Sequence, residues 1–340
     1  MSDVQPVGVL GASGYAGYEL LRLLAGHPEF RVVYATGDSA AGEFVTDLYP
    51  ALAPVYDGLR LTAFDVDDAA GLEVVFSALP NGPAQEIVPA LLPKVGHIVD
   101  LSADFRLKDP ALYPEFYGAT HLAPALLAEA AFGLPELFRD EIRRARLVAA
   151  PGCFVTAAAL ALAPFVRAGV VAPTGMIVDA ASGVSGAGKG KHPFGVVDGD
   201  FTAYGLLNHR HTPEMEQAVG GQILFTPHLA PMSRGILATC YARPTLSGPA
   251  TTTDALDVLD RAYADEPFVV VSARSPSTKA TRGANTAHLS ARVDPRTGWL
   301  VVLCAIDNMV KGAAGQALQC ANLAAGIEES LGLPRVGLAL

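Results

Sequence analysis

Short apolar runs followed by segments of helical spacing open the chain. Residues 7–10 are uncharged and end at Gly11, which predicts a buried parallel strand. Leu20, Leu21, Leu23 and Leu24 then stripe one face of a helix predicted over 18–25, closed by Gly26 and Pro28. Further strands are predicted over 30–35, 73–79 and 97–101, with a helix over 84–92 among them. Strands alternating with helices imply parallel pairing in a doubly wound α/β sheet.

The pattern changes after Pro151-Gly152. A helix over 154–168 leads to a strand over 176–180, then to a glycine-rich stretch over 182–205 with little periodicity. Strands over 222–225, 236–243, 268–272, 287–292 and 300–306 follow, interrupted by one helix over 253–264. That succession predicts an α+β domain with a mostly antiparallel sheet. A last helix over 312–331 returns to the first domain. The predicted organisation is a doubly wound α/β domain over 1–150, completed by residues 312–340, and an α+β domain over 151–311.

Composition narrows the function. Across 340 residues, 51% are apolar and 17% charged, which suits a large core and excludes disorder as the main state. A net charge of −10 argues against nucleic acid and against anionic membranes as partners. Four scattered cysteines, none in a CxxC pair, make neither a disulfide framework nor a cysteine zinc site, so no metal is expected. Residues 147–166 carry no charge and match a membrane span in length, but Pro151-Gly152 and the many alanines favour a loop and a buried helix. No basic residue precedes Arg22, so the N-terminus does not read as a secretory signal. A cytoplasmic location is the expectation.

The motif Gly11-Ala12-Ser13-Gly14-Tyr15-Ala16-Gly17 follows the first strand and opens the first helix. Backbone N–H groups at such a turn, with the helix dipole behind them, suit a pyrophosphate. The spacing is G-x-x-G-x-x-G rather than G-x-G-x-x-G, and a ligand-free turn is the plainer alternative. At the end of the second strand, Asp38 points to a ribose 2′-OH, whereas Thr36 and Ser39 offer donors for a 2′-phosphate.

Cys153 stands at a predicted helix start, where the dipole favours thiolate and Thr156 offers a cap. The other three cysteines lie in apolar segments and read as core. A nucleophilic cysteine needs a base, and three of the eight histidines fall within 192–211. His209 and His211 sit in NHRHTPE, where Glu214 is placed to orient an imidazole and Pro213 suits a helix start at 212–213. Lys189, Lys191, His192, Arg210 and Arg106 give local positive charge suited to an anionic acyl phosphate. Arg106 follows the fourth strand in LSADFRL, at a position where doubly wound folds bind ligands; a salt bridge to Asp104 or Asp109 is its plainer role.

These stretches together resemble the N-acetyl-γ-glutamyl-phosphate reductases of arginine biosynthesis. The matching segments are GASGYAGYELLRLL, ALPNG, VDLSADFRL, PGC, SGVSGAG, HRHTPE, SRGILAT and AIDNMVKGAAGQALQ, in order across nearly the whole chain. The resemblance implies that 1–150 with 312–340 is a Rossmann dinucleotide-binding domain and 151–311 a catalytic and dimerisation domain, with NADPH as cofactor, Cys153 as nucleophile, His209 as acid/base and Glu214 as its support. It also implies substrate contacts at Arg106, Ser182, Lys189, Arg210 and His211. Gly11 to Ala16 would hold the pyrophosphate, with Ser182, Gly186, Asn308 and Lys311 toward the rest of the cofactor. Asp38 departs from the arginine common in that family. A homodimer or homotetramer follows from the same resemblance. Rival readings are a reductase of aminoadipyl or aspartyl phosphate, and an NADP-binding redox sensor.

Overall fold

The computed structural model describes residues 4–189 and 197–338. Lys191 and His192, expected in the positive patch, lie outside the described residues. The chain divides into two units, one running up to Pro151 and joined by Ala313–Leu333, the other spanning Gly152–Gly312 and joined by the residues from Pro334 onward.

In the first unit, strands β1 (Gln5–Leu10), β2 (Phe30–Ala35), β3 (Val74–Ser77), β4 (His97–Asp100), β5 (Ala131–Phe132) and β6 (Leu147–Ala149) form one sheet in the order β2-β1-β3-β4-β6-β5. Every pairing is parallel. β3 is buried throughout, as expected for a strand covered on both faces. β2 and β3 flank β1 on opposite sides, so the strand order reverses at β1, where open α/β sheets form their ligand crevice. Helix α1 (Tyr15–Leu24) buries the predicted leucine stripe, and α2 (Ala84–Leu91) falls where predicted. Two strands escape the sequence reading. β5 and β6 are two and three residues long, too short to show a period, and β6 lies inside the uncharged stretch read as loop and helix.

The C-terminal helix (Gly315–Ala324) is buried along its whole length and packs on α1, on β4 and on α3 (Pro135–Ile142). It is shorter than the predicted 312–331. A π-turn (Val310–Ala314) precedes it, and Gly326, at φ +71°, ends it. Beyond that, the Asn322 side chain donates to the carbonyls of Glu329 and Leu331 (3.2 and 2.9 Å), folding the chain back. His27 accepts from the Glu29 and Phe30 N–H groups on Nδ1 (3.2 and 2.9 Å), which leaves Nε2–H to donate to Asn322 Oδ1 at 3.1 Å. A Cβ on Gly332 would stand 2.3 Å from the same ring. The expected completion of the first domain by 312–340 is therefore divided. From Pro334 the chain joins the second unit, where Pro334 O accepts from Asn285 N–H and Leu338 N–H donates to Arg282 O, both at 2.7 Å.

The second unit is built on α4 (Cys153–Arg167), whose first thirteen residues bury all but Cys153. Pro164 sits inside it and has no N–H for the Leu160 carbonyl; the Tyr263 hydroxyl donates to that carbonyl instead, at 2.6 Å. Strands β7 (Met176–Ser182), β8 (Thr202–Ala203), β9 (Ile223–Leu229), β10 (Ile236–Ala242), β11 (Val269–Val271), β12 (Ala287–Val293) and β13 (Leu300–Ile306) form a sheet ordered β11-β12-β13-β10-β7-β9-β8. Four of its six pairings are antiparallel, matching the predicted class; β11 with β12 and β7 with β9 run parallel. Alternating burial in β7 and β10 gives the sheet one inward face, which receives α4. Helix α5 (His211–Val219) begins at His211, one residue before the predicted start. Helix α6 (Thr252–Ala262) is set by a capping box between Thr251 and Asp254. Among the described residues no helix is long and apolar enough to cross a membrane.

Burial holds the His27 imidazole below its ordinary pKa of 6.5, so the fold keeps it neutral. The unfolded chain binds that proton more readily, so stability falls as pH drops below about 6.5. Removing the ring also orphans buried N–H groups, at about 1–3 kcal/mol each. His27→Ala is expected to lower the midpoint of chemical unfolding at neutral pH and to flatten its loss on acidification. An unchanged acid slope would refute the assignment.

Candidate active site

Cys153 is the first residue of α4, half-buried, with Gly152 as the helix cap. Gly152 N–H donates to Glu214 Oε2 at 3.0 Å, and Glu214 is fully buried on α5. A Cβ on Gly152 would stand 2.2 Å from His211 Nε2, so only glycine lets that imidazole lie over the helix start. Glu214, expected to support a histidine, clamps the backbone beside Cys153. Thr156 does not cap the helix as expected. Its hydroxyl donates backwards to Gly152 O at 3.5 Å, beside the regular helical bond.

A cavity of about 510 Å³ opens at Cys153. Six residues expected at the site line it: Cys153, Ser182, Gly186, His209, Arg210 and His211. Phe154 stands edge-on to both imidazoles and to Phe225. His209 packs against His211, Phe225 and Tyr204, at centroid distances of 4.7, 5.2 and 5.7 Å. Burial among these rings, with the Arg210 guanidinium adding to it, lowers the His209 pKa to about 4. Its Nδ1 accepts from His211 N–H at 3.1 Å, so the neutral ring carries its proton on Nε2. Burial pushes the Tyr204 phenol up, and negative charge on Cys153 pushes it further, so Tyr204 stays a hydroxyl donor beside the thiol.

The wall opposite is the 3₁₀ turn Val184–Ala187, which follows β7. Asn308, expected at the cofactor, uses both ends of its amide inside the protein. Its Oδ1 accepts from Gly235 N–H at 2.7 Å and its Nδ2 donates to Ser185 Oγ at 3.0 Å, which pins the turn. Lys311, expected beside it, is fully buried with Nζ 5.7 Å from the centroid of Phe268. It is not among the residues that line this cavity. Lys189 is exposed just past Gly188, whose φ is +86°.

In the first unit, the loop from Gly11 to Ala16 joins β1 to α1. Gly11 has φ +77°, and a Cβ there would meet the Ala78 carbonyl at 2.6 Å. A Cβ on Gly17 would meet Gly11 O at 2.4 Å. No acidic residue stands in the first turn of α1, and Gly14 caps it without a side chain. The helix N-terminus therefore presents N–H groups and no competing charge, which fits a dinucleotide pyrophosphate. Thr36, expected as a phosphate donor, also braces the glycine turn. It is buried, and its hydroxyl accepts from Gly11 N–H at 3.1 Å. Asp38, at φ +39°, and Ser39 remain exposed at the strand end. Arg106 is 8% exposed and spends Nη2 on Leu101 O at 2.7 Å, holding the loop after β4. Among the described residues no cluster of three or more His, Cys, Asp or Glu side chains could hold a metal.

Comparisons with known proteins agree with this architecture. Residues 6–145 match the semialdehyde dehydrogenase NAD-binding domain, and 153–308 match the semialdehyde dehydrogenase dimerisation domain. The N-acetyl-γ-glutamyl-phosphate reductase of Symbiobacterium thermophilum is 47% identical over 97% of this chain and 98% of its own. That of Synechococcus elongatus is 46% identical over 97% and 96%. The chain belongs to the N-acetyl-γ-glutamyl-phosphate reductase family. The fold also matches aspartate semialdehyde dehydrogenase II of Vibrio cholerae at TM-score 0.71 and 17% identity, covering 95% of this chain and 98% of that one. Aspartate semialdehyde dehydrogenase of Candida albicans, solved with NADP, matches at TM-score 0.70 and 14% identity, covering 96% and 100%.

Against that family background, Tyr204 is the residue the sequence reading missed. It lies five positions before His209 in a stretch without periodicity, and only the fold brings it beside Cys153. Asp200 and Thr202 line the cavity unforeseen for the same reason.

An NMR titration of His209 should find it neutral through the neutral range and down to about pH 4. Arg210→Gln should raise that pKa in part and leave it below 6.5, because burial is the larger cause. Titration near 6.5 in the intact protein would contradict the buried, Arg210-flanked setting.

Proposed function

We propose that this chain reduces N-acetyl-γ-glutamyl phosphate to N-acetylglutamate 5-semialdehyde and phosphate, with NADPH, in arginine biosynthesis. The observation that carries the reading is Cys153 at the first position of α4, in a cavity with a neutral imidazole and Tyr204. The site expectations for Arg106, Lys189 and Ser39 belong to this proposal. So does a homo-oligomer, a dimer or tetramer, which the matched dimerisation domain supports.

The Cys153 thiolate attacks the acyl carbonyl, the C–O bond to phosphate breaks, and a thioester forms on the protein. NADPH, when bound, supplies the hydride that reduces this thioester. The resulting tetrahedral oxyanion expels the Cys153 thiolate and gives the aldehyde. One proton is taken up overall and ends on the released phosphate. Cysteine suits both halves because a thiolate is a good nucleophile and a good leaving group. His209 has its proton on Nε2, and Tyr204 remains protonated. Both are donors for an oxygen that gains negative charge at each tetrahedral stage, as are backbone N–H groups at the start of α4. Arg210 and the turn of Val184–Ala187 border the space for the anionic substrate.

Cys153→Ala should abolish turnover while NADPH still binds. His209→Ala should cost about 10²–10⁴ in rate, the usual range for a group acting on a proton or oxyanion. A larger loss for His211→Ala would exchange the two imidazoles. Phosphate-dependent reduction of NADP, with N-acetylglutamate semialdehyde as the other substrate, tests the reaction directly. Faster reduction of NAD than of NADP would assign the cofactor choice to Asp38. No turnover with either cofactor would overturn the substrate assignment.

A further inference from the structure

Cys153 has a second glycine against it. A Cβ built on Gly312 stands 2.7 Å from Cys153 Cβ and 3.3 Å from both Cys153 Cα and Ile306 Cδ1. Carbon atoms in good contact keep about 3.5–4.0 Å apart. Cys153 Cβ is bonded directly to the backbone of α4, so it cannot swing aside as the tip of a long side chain would.

The π-turn delivers Gly312 to this place. Its N–H donates to Asp307 O at 2.9 Å, five residues back, which inserts one residue more than an α-turn holds. The start of the turn is fixed by a fully buried carboxylate. Asp307 Oδ1 accepts from the N–H groups of Met309 (2.8 Å) and Val310 (3.1 Å) and from Arg234 Nη2 (3.0 Å). Asp307 Oδ2 accepts from Gly283 N–H at 2.7 Å. On the side of the helix cap, Gly152 is closed off by the His211 ring. Neither neighbour can give way cheaply.

We propose that Gly312, held by this π-turn, is a positioning residue that sets where the Cys153 sulfur stands. The inference rests on Cys153 being the nucleophile. An added methyl at 312 displaces Cys153 Cβ and with it the thiol, inside the cavity that Cys153 shares with Tyr204 and His209. Its nearest contacts are Cys153 and Ile306, so the walls that hold substrate keep their places.

The test uses Gly312→Ala in the full chain. We expect kcat to fall about 10²-fold, the cost of a misplacement near 1 Å, with KM changed far less. Without cofactor or substrate, the rate of iodoacetamide labelling at Cys153 should fall and its pH profile should shift, which a merely structural role would not produce. Gly312→Ala with wild-type kcat and labelling overturns the proposal. If that variant unfolds, its stability loss is compared in the wild-type and Cys153→Gly backgrounds. A smaller loss in Cys153→Gly supports contact with the Cys153 Cβ; an equal loss overturns it. Restoration of kcat in Gly312→Ala/Ile306→Val also overturns it, because Ile306 would then be the cause. Failure of the nucleophile reading itself shows separately, as turnover surviving in Cys153→Ala.

Discussion

Glu214 accepts the Gly152 N–H from inside the protein, and the geometry of the Cys153 cavity follows from that contact. The bond ties the first turn of α5 to the first turn of α4. Because α4 is buried along nearly its whole length, its start cannot shift without disturbing the core beneath it. The two catalytic candidates on either side inherit this rigidity. Cys153 is the next residue on α4, and His211 is the first residue of α5, lying over a glycine that has no side chain to obstruct it. A carboxylate placed in the interior is expensive unless its oxygens are bonded. Here the carboxylate receives a backbone donor that a helix start leaves unpaired. Each group meets a need of the other.

The parallel sheet was legible because its long strands are continuous apolar runs and its helices carry clear leucine stripes. β2, β3 and β4 fall within predicted segments, and β1 begins two residues before its own. β5, β6 and β8 were not legible, since two or three residues cannot display a period and their pairing comes wholly from neighbours in the sheet. The end of the last helix was missed for a related reason. Its apolar pattern continues past Ala324, but Asn322 takes the backbone carbonyls of Glu329 and Leu331, and the chain turns back.

That Cys153, His209 and His211 share one cavity was legible from local chemistry: a cysteine after Pro-Gly at a helix start, and two histidines in a short cluster. Residues whose role depends on what lies behind them were not. Asn308, Lys311 and Thr36 carry polar groups suited to a cofactor, and sequence alone could not say that their surroundings had already engaged or buried them. Tyr204 shows the converse. Nothing near it in the chain marks it as special, and it gains its place from β8, which pairs with β9 and whose next residue, Tyr204, donates its N–H to Pro227 O.

The bond between Gly11 N–H and the Thr36 hydroxyl has a consequence for how this protein can change over time. Thr36 belongs to the scaffold, because losing it would leave the glycine turn short of an acceptor. Asp38 and Ser39, two and three residues further on, are exposed and hold no part of the sheet. Traits that depend on those two side chains can drift or be selected while the turn and strands stay fixed. The end of the second strand is therefore a place where the lineage can alter what it recognises at little cost to folding.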